Sequence, residues 1–242
     1  MDKNHKVVLE VKDLHTYYGL SHILFGVSLV VRQGEVTCLL GRNGAGKTTL
    51  IKSICGLVPA SSGEVWYQGK NIIKTPAYRI AASGIIPAFS DNRVFGNLTV
   101  RENLEIGKMS PRSSDKKVIW TIEKVYELFP ILKEFEKRWA GSLSGGQQQI
   151  LCVAKALMGN PELLILDEPT IGLAPVVIES IGEQVEILKA ENTSILLTEQ
   201  NVKFASKLGD TCSIIDMGEI KFQGTFGELY KNESIVSEYL SV

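Results

Sequence analysis

Residues 41–48, Gly41-Arg42-Asn43-Gly44-Ala45-Gly46-Lys47-Thr48, match G-x-x-x-x-G-K-[ST] in full, with Thr49 following. A glycine-rich turn can point its backbone N–H groups inward at phosphate oxygens, an approach that bulky side chains would block. Lys47 would reach the β- and γ-phosphates of a nucleoside triphosphate, and Thr48 would offer its hydroxyl to Mg2+. A chance glycine-rich turn is the alternative, and eight positions between a β-rich run and an amphipathic run argue against it. Downstream, Leu163-Leu164-Ile165-Leu166 leads into Asp167-Glu168. Four apolar residues bury a strand, and two carboxylates emerge at its carboxyl end, where open α/β sheets bind ligands. Asp167 would hold Mg2+ through a bound water, and Glu168 would polarise an attacking water. Alone, the pair is a solvated strand end; with the glycine-rich turn upstream it reads as the acidic half of the same site.

A second anion cradle follows an unrelated stretch, Leu143-Ser144-Gly145-Gly146-Gln147. Ser144 and Gln147 have the spacing of a capping box, which is a purely structural reading. That reading has no use for Gly145 and Gly146. Glycine weakens a first helical turn, yet it lets backbone donors come close to a ligand.

These groups need a scaffold. The run 36–40 reads as a buried strand entering the glycine-rich turn, and Leu50, Ile51, Ile54 and Cys55 mark one face of the helix leaving it, with Gly56 placed to cap it. β-Like runs occupy 7–11 and 27–31, and 63–73 reads as a hairpin with Gly69-Lys70 at its turn. The stretch 100–160 is mostly helical, with Val118, Ile122, Val125 and Phe129 in one apolar stripe. From 161 the pattern alternates: a strand over 163–166, a helix begun by Pro175 with Val177, Ile181, Val185 and Leu188 on one face, a strand over 194–198, a short helix over 202–208, and a hairpin around Gly218-Glu219. Alternation of this kind implies a parallel sheet.

Bulk properties narrow the class. With 44% hydrophobic residues in 242, the chain can bury a substantial core, and a net charge of −1 gives no attraction to nucleic acid. Cys38, Cys55, Cys152 and Cys212 are scattered without metal or redox spacing and read as small buried hydrophobes. No leader-like segment opens the chain and no apolar run approaches the roughly 18 residues of a membrane span, so a cytosolic protein is expected.

The glycine-rich turn, the Leu-Ser-Gly-Gly-Gln motif and the strand ending in Asp167-Glu168 stand in the order used by ATP-binding-cassette (ABC) ATPases, and the chain resembles that family over essentially its whole length. The resemblance implies an α/β P-loop NTPase. It would have a RecA-like parallel-sheet core, an antiparallel β subdomain (these two over about 1–89 and 161–242) and an inserted helical subdomain over about 90–160. It also implies that ATP is the nucleotide and Mg2+ its ion. Ser144, Gly145, Gly146 and Gln147 would close on the nucleotide held by a second ATPase subunit, identical or related. Two cradles in one chain are then halves of two sites. Tyr18, just before Gly19, matches the aromatic that stacks on adenine, with Tyr17 adjacent; Ile171-Gly172-Leu173-Ala174 matches a loop that contacts the other subunit.

Two positions depart from the family pattern. Ser90 stands where a glutamine usually contacts Mg2+ and the attacking water; the shorter serine would act through a water, or Asp91 would substitute. Gln200 stands at the switch histidine, and can donate an amide hydrogen to the γ-phosphate but carries no charge. Glu199-Gln200-Asn201, Tyr17-Tyr18-Gly19, Gly172-Leu173-Ala174-Pro175 and the ending Glu238-Tyr239-Leu240 resemble the LivF-type branch, the ATPase subunits of branched-chain amino-acid importers. That branch implies permease subunits in the membrane, an extracytoplasmic binding protein, and a place for this chain on the cytoplasmic face. Urea or amide import, export, a soluble ABC ATPase acting on nucleic acid, and a regulatory cassette of low turnover are the competing readings.

Overall fold

The computed structural model describes residues 6–91, 94–108 and 120–240. His5 and Val118 lie outside them. Strands β1 (Val7–Tyr18), β2 (Ser21–Arg32), β4 (Ala60–Tyr67) and β5 (Lys70–Asn71) form an antiparallel sheet in the order β2-β1-β4-β5. A second sheet of six strands runs β10-β9-β3-β8-β7-β6. It comprises β3 (Val36–Leu40), β6 (Ile85–Ala88), β7 (Leu163–Asp167), β8 (Ser194–Glu199), β9 (Thr211–Asp216) and β10 (Glu219–Gly224). Its pairs are parallel except β9–β10.

The side-chain period of two divides the core across this sheet. Val36, Cys38, Leu40, Leu164, Leu166, Ile195 and Leu197 face one apolar cluster, built with the helices α3 (Val100–Gly107), α4 (Ile122–Leu128), α5 (Pro130–Glu134), α6 (Gly145–Met158), α7 (Pro175–Ala190), α8 (Val202–Leu208) and α9 (Phe226–Lys231). Leu39, Leu163, Ile165 and Leu196 face the other, shared with α1 (Lys47–Ile54), Ile80 of α2 (Ala77–Ser83) and the antiparallel sheet. Strands β3 and β7 are buried at every residue, which is why both read as unbroken apolar runs.

Local differences from the sequence reading have physical causes. β6 is short and carries Pro87, a residue that argues against a strand; it survives because β6 is an edge strand paired only with β7. Of the apolar stripe, Ile122 and Val125 lie in α4, with Phe129 at its C-cap and Pro130 starting α5. Gly56 does close α1, at φ +68, with Leu57 N–H donating to Lys52 O at 2.8 Å.

Candidate nucleotide site

β3 ends at Leu40 and α1 begins at Lys47, so the glycine-rich turn occupies the gap between a central strand and a helix N-terminus. Gly41 has to be glycine: a Cβ there would lie 2.3 Å from Ile215 O, because β9 packs against the turn. Gly46 takes φ +111, a conformation that favours glycine, and directly precedes α1, which therefore starts without a side-chain cap. The turn is braced from behind, with Gly218 N–H donating to Ala45 O at 2.9 Å.

Lys47 is 3% exposed, and its ammonium group donates to Gly41 O at 2.6 Å and Arg42 O at 2.9 Å. Its third contact is Glu168 Oε1 at 2.8 Å. Glu168 follows β7 and holds a left-handed backbone, φ +47, rare for a residue with a side chain. Such strain persists where surroundings over-determine it. Here Glu168 N–H is gripped by Thr198 O at 3.0 Å and Thr198 Oγ1 at 3.1 Å.

Asp167, fully buried at the end of β7, accepts from Thr48 Oγ1 at 3.0 and 3.3 Å and from Thr198 Oγ1 at 2.7 Å. Burial raises its carboxyl above the ordinary range; the two threonine hydroxyls pull it back, and the neighbouring Glu168 and Asp91 carboxylates push it up further. A hydroxyl and a carboxylate side by side form an all-oxygen donor set, which suits a hard divalent cation such as Mg2+.

β8 lies between β3 and β7 and brings a second layer. Glu199 is 2% exposed and accepts from Thr170 Oγ1 at 2.7 Å and Thr170 N–H at 3.2 Å, while its backbone carbonyl accepts from Gly41 N–H at 3.2 Å. Burial raises its carboxyl, against the bonds from Thr170. A small cavity of about 120 Å³ opens between Glu168, Thr170, Ile171, Glu199, Gln200 and Asn201, so Gln200 shares a space with Glu168.

Of the residues singled out by sequence, Lys47, Thr48, Asp167 and Glu168 meet in one place. Ser144 and Gln147 do not join them. Gln147 N–H donates to Ser144 Oγ at 3.3 Å and Ser144 N–H to Gln147 Oε1 at 2.9 Å, a reciprocal cap on an exposed helix start. Ser90 lies after β6 and faces Asp91, Oγ to Oδ1 at 3.3 Å, and Lys52 of α1 stands 3.8 Å from the other Asp91 oxygen. Tyr17 and Tyr18 are separated by their surroundings. Tyr17 stacks on His22 at 4.0 Å with a 5° tilt, while Tyr18, 46% exposed, has no ring partner among the described residues. The four cysteines are buried, and burial pushes the Cys55 and Cys212 thiols up to about 12, which leaves them inert.

Sequence reasoning missed Thr198, which holds both Asp167 and the Glu168 backbone, and Thr170, which holds Glu199. It also missed Asn103, fully buried, whose amide bonds Phe95 N–H at 2.8 Å, Phe95 O at 3.0 Å and Thr99 O at 2.9 Å and ties Phe95 to the start of α3. A buried-strand pattern ending in a hydroxyl was the available signal for Thr198. Among the described residues, no helix is long and apolar enough to cross a membrane.

Comparison with known proteins gives a consistent answer. The family described as ABC transporter matches residues 24–171, more than half of the chain. The high-affinity branched-chain amino acid transport ATP-binding protein BraG of Pseudomonas aeruginosa is 40% identical over 96% of this chain and 99% of its own length. A probable branched-chain amino acid transport ATP-binding protein, LivF, of Archaeoglobus fulgidus is 37% identical over 93% and 95%. Among solved structures, an ATP-binding cassette of an ABC transporter in its ADP conformation superposes with a TM-score of 0.81 at 32% identity, covering 96% of this chain and 95% of that one.

Proposed function

The chain belongs to the ABC transporter family as an ATP-binding subunit, and on that premise we propose that it hydrolyses ATP to power an importer of branched-chain or closely related amino acids. The observation that carries the mechanism is the separation of the two cradles. Lys47, Thr48, Asp167 and Glu168 converge, whereas Ser144 and Gln147 satisfy one another at an exposed helix start. A pocket that encloses a triphosphate then needs two ATPase subunits packed head to tail, each lending its Ser144 cradle to the nucleotide on the other's glycine-rich turn.

In this reading, backbone N–H groups of 41–49 grip the phosphates, and Lys47 turns from Glu168 to the γ-phosphate. Thr48 and Asp167 would hold Mg2+, with Ser90 or Asp91 alongside, and the ion would supply neutralisation of charge on the phosphate oxygens. Glu168, released from Lys47, orients a water and takes its proton as the water oxygen bonds to the γ-phosphorus and the bond to the β-phosphate oxygen breaks. Gln200 donates to the γ-phosphate, and Tyr18 stacks on adenine. Loss of the γ-phosphate removes the bridge between subunits, so the dimer opens. Permease subunits hold the assembly at the cytoplasmic face of the membrane, an extracytoplasmic binding protein delivers the amino acid, and a second ATPase subunit, identical or related, completes the pair. The strand-rich parts of 1–89 and 161–242 act as the nucleotide-binding body, and 90–160 as the helical arm.

The test is assembly. Glu168→Gln should trap an ATP-dependent dimer, with itself or with the second ATPase subunit, on size-exclusion chromatography, and adding Ser144→Arg should abolish it. An unchanged elution profile in both variants removes the composite pocket. Co-purification of membrane proteins, followed by amino-acid uptake in proteoliposomes, tests the importer assignment separately.

A further inference from the structure

Beside Tyr18, the β1–β2 hairpin carries the chain's two described histidines on adjacent strands. His15 Nδ1 and His22 Nε2 share a hydrogen bond at 3.2 Å, its donor set by the tautomers of the two rings. Two imidazole nitrogens that close repel through their lone pairs unless a proton or a cation lies between them. A Zn2+ ion with nitrogen ligands at 2.0–2.1 Å in tetrahedral geometry spaces them about 3.3 Å apart, close to the separation found.

The surroundings are arranged for such an ion. β1 bulges between Val11 and Leu14 and again before Thr16, and Asp13 takes φ +46 within the bulge, pinned by its N–H to Ser28 Oγ at 3.0 Å. Bulges re-aim side chains, and this one sets Asp13 Oδ1 3.4 Å from His15 Nε2, the nitrogen turned away from His22. A carboxylate on the far nitrogen is the partner that fixes the tautomer and orientation of metal-bound histidines. Gly26, at φ +71, leaves the room: a Cβ there would fall 2.7 Å from Asp13 Oδ1 and 3.5 Å from His15 Nε2. His22 is clamped between Tyr17, stacked at 4.0 Å, and Phe25, whose ring centre is 3.9 Å away, so its orientation is set before any ligand arrives.

We propose that His15 and His22 form a binding site for a late first-row divalent cation, Zn2+ as its natural probe, with Asp13 orienting His15. Among the described residues no group of three or more histidine, cysteine, aspartate or glutamate side chains is placed to hold a metal, so water completes the coordination. The ion ties β1 to β2 in the hairpin that ends in Tyr18, three residues beyond His15.

The experiment is a calorimetric titration of untagged, nucleotide-free, full-length protein with zinc chloride. Wild type takes up one equivalent that His15→Gln and His22→Gln lose, with affinity down at least about tenfold, and Asp13→Asn, which keeps both ligands, binds roughly 10–100-fold more weakly. Retention of the full equivalent at wild-type affinity in either histidine variant overturns the proposal. Should circular dichroism show that those variants do not fold, Asp13→Asn decides alone, because the Asp13 side chain is 81% exposed; wild-type affinity in that variant overturns the site.

Discussion

Lys47 Nζ and Glu168 Oε1 lie 2.8 Å apart, the ammonium 3% and the carboxylate 14% exposed. The cation proposed to grip phosphate and the carboxylate proposed to polarise water therefore hold each other in the nucleotide-free chain. Depriving one member of a buried pair of its counter-charge costs about 3–5 kcal/mol. A triphosphate offsets it by supplying Lys47 with new anionic partners. Glu168→Gln removes the competing charge and leaves the shape. Nucleotide affinity should rise severalfold while turnover falls by about 10²–10³, the scale of losing a positioned base. Equilibrium binding of a fluorescent ATP analogue and single-turnover phosphate release read the two effects separately. Weaker binding in Glu168→Gln would show that the ion pair does not compete with nucleotide.

Asp167 gives a pH-dependent prediction. Burial raises its carboxyl in the folded chain, so ionisation is harder there than in the unfolded chain. Its favourable contribution to folding is complete below the ordinary carboxylate range, about 3.9 for aspartate, and is lost as pH rises through the raised folded value. At neutral pH the nucleotide-free protein bears this cost. Asp167→Asn should raise its Tm at neutral pH. The gain should shrink as pH falls toward the folded value. Stabilisation by Mg2+ and ATP should vanish in the same variant. A Tm difference independent of pH would rule out the buried charge as the cause.

Ser144 has two roles that a single alanine substitution confounds. Its hydroxyl caps α6 reciprocally with Gln147, and loss of such a cap costs about 0.5–2 kcal/mol. Ser144→Asp separates the roles, because aspartate is an equally good cap yet repels phosphate. The aspartate variant should melt within about 2 °C of wild type, since surface changes that keep a cap stay within roughly 0.5 kcal/mol. It should nevertheless fail to form the ATP-dependent dimer. Ser144→Ala should melt lower and still dimerise weakly. Thermal melts alongside size exclusion in ATP distinguish the two.

The candidate site was legible wherever its residues are contiguous. The glycine-rich turn, Asp167-Glu168 and the Ser144–Gln147 cap are contiguous, and their meaning depends on spacing alone. What the sequence did not disclose depends on strand order. Thr198 lies 31 positions from Asp167, and it reaches that carboxylate only because β8 is inserted between β3 and β7. The Lys47–Glu168 pair depends on the same insertion. Both hairpin turns were placed one residue late. In each, the left-handed pair is a non-glycine residue followed by glycine, Gln68-Gly69 at φ +49 and +77 and Met217-Gly218 at +45 and +78, as a type I′ turn requires. Glycine occupies the second left-handed position, whereas a reading centred on glycine puts it first.

Gln200 tests how a neutral residue serves where the family pattern has histidine. It lines the small cavity with Glu168, and its amide would give the γ-phosphate one uncharged hydrogen bond. Bonds from charged donors are roughly twice as strong. Gln200→Ala should leave ATP affinity close to wild type and lower turnover by about 10²–10³, the loss seen when one preorganised donor to developing charge is removed. Gln200→His should restore turnover and import a pH dependence that wild type lacks. The imidazole titrates near pH 6.5 when unperturbed, and its protonated form is the stronger donor. The ratio of Gln200→His to wild-type rate should therefore fall as pH rises from about 5.5 to 8. His15 and His22 sit on the β1–β2 hairpin and cannot supply that limb in wild type. A flat ratio across the range, or full turnover in Gln200→Ala, would place the γ-phosphate donor elsewhere in the cavity, with Asn201 the next side chain in reach.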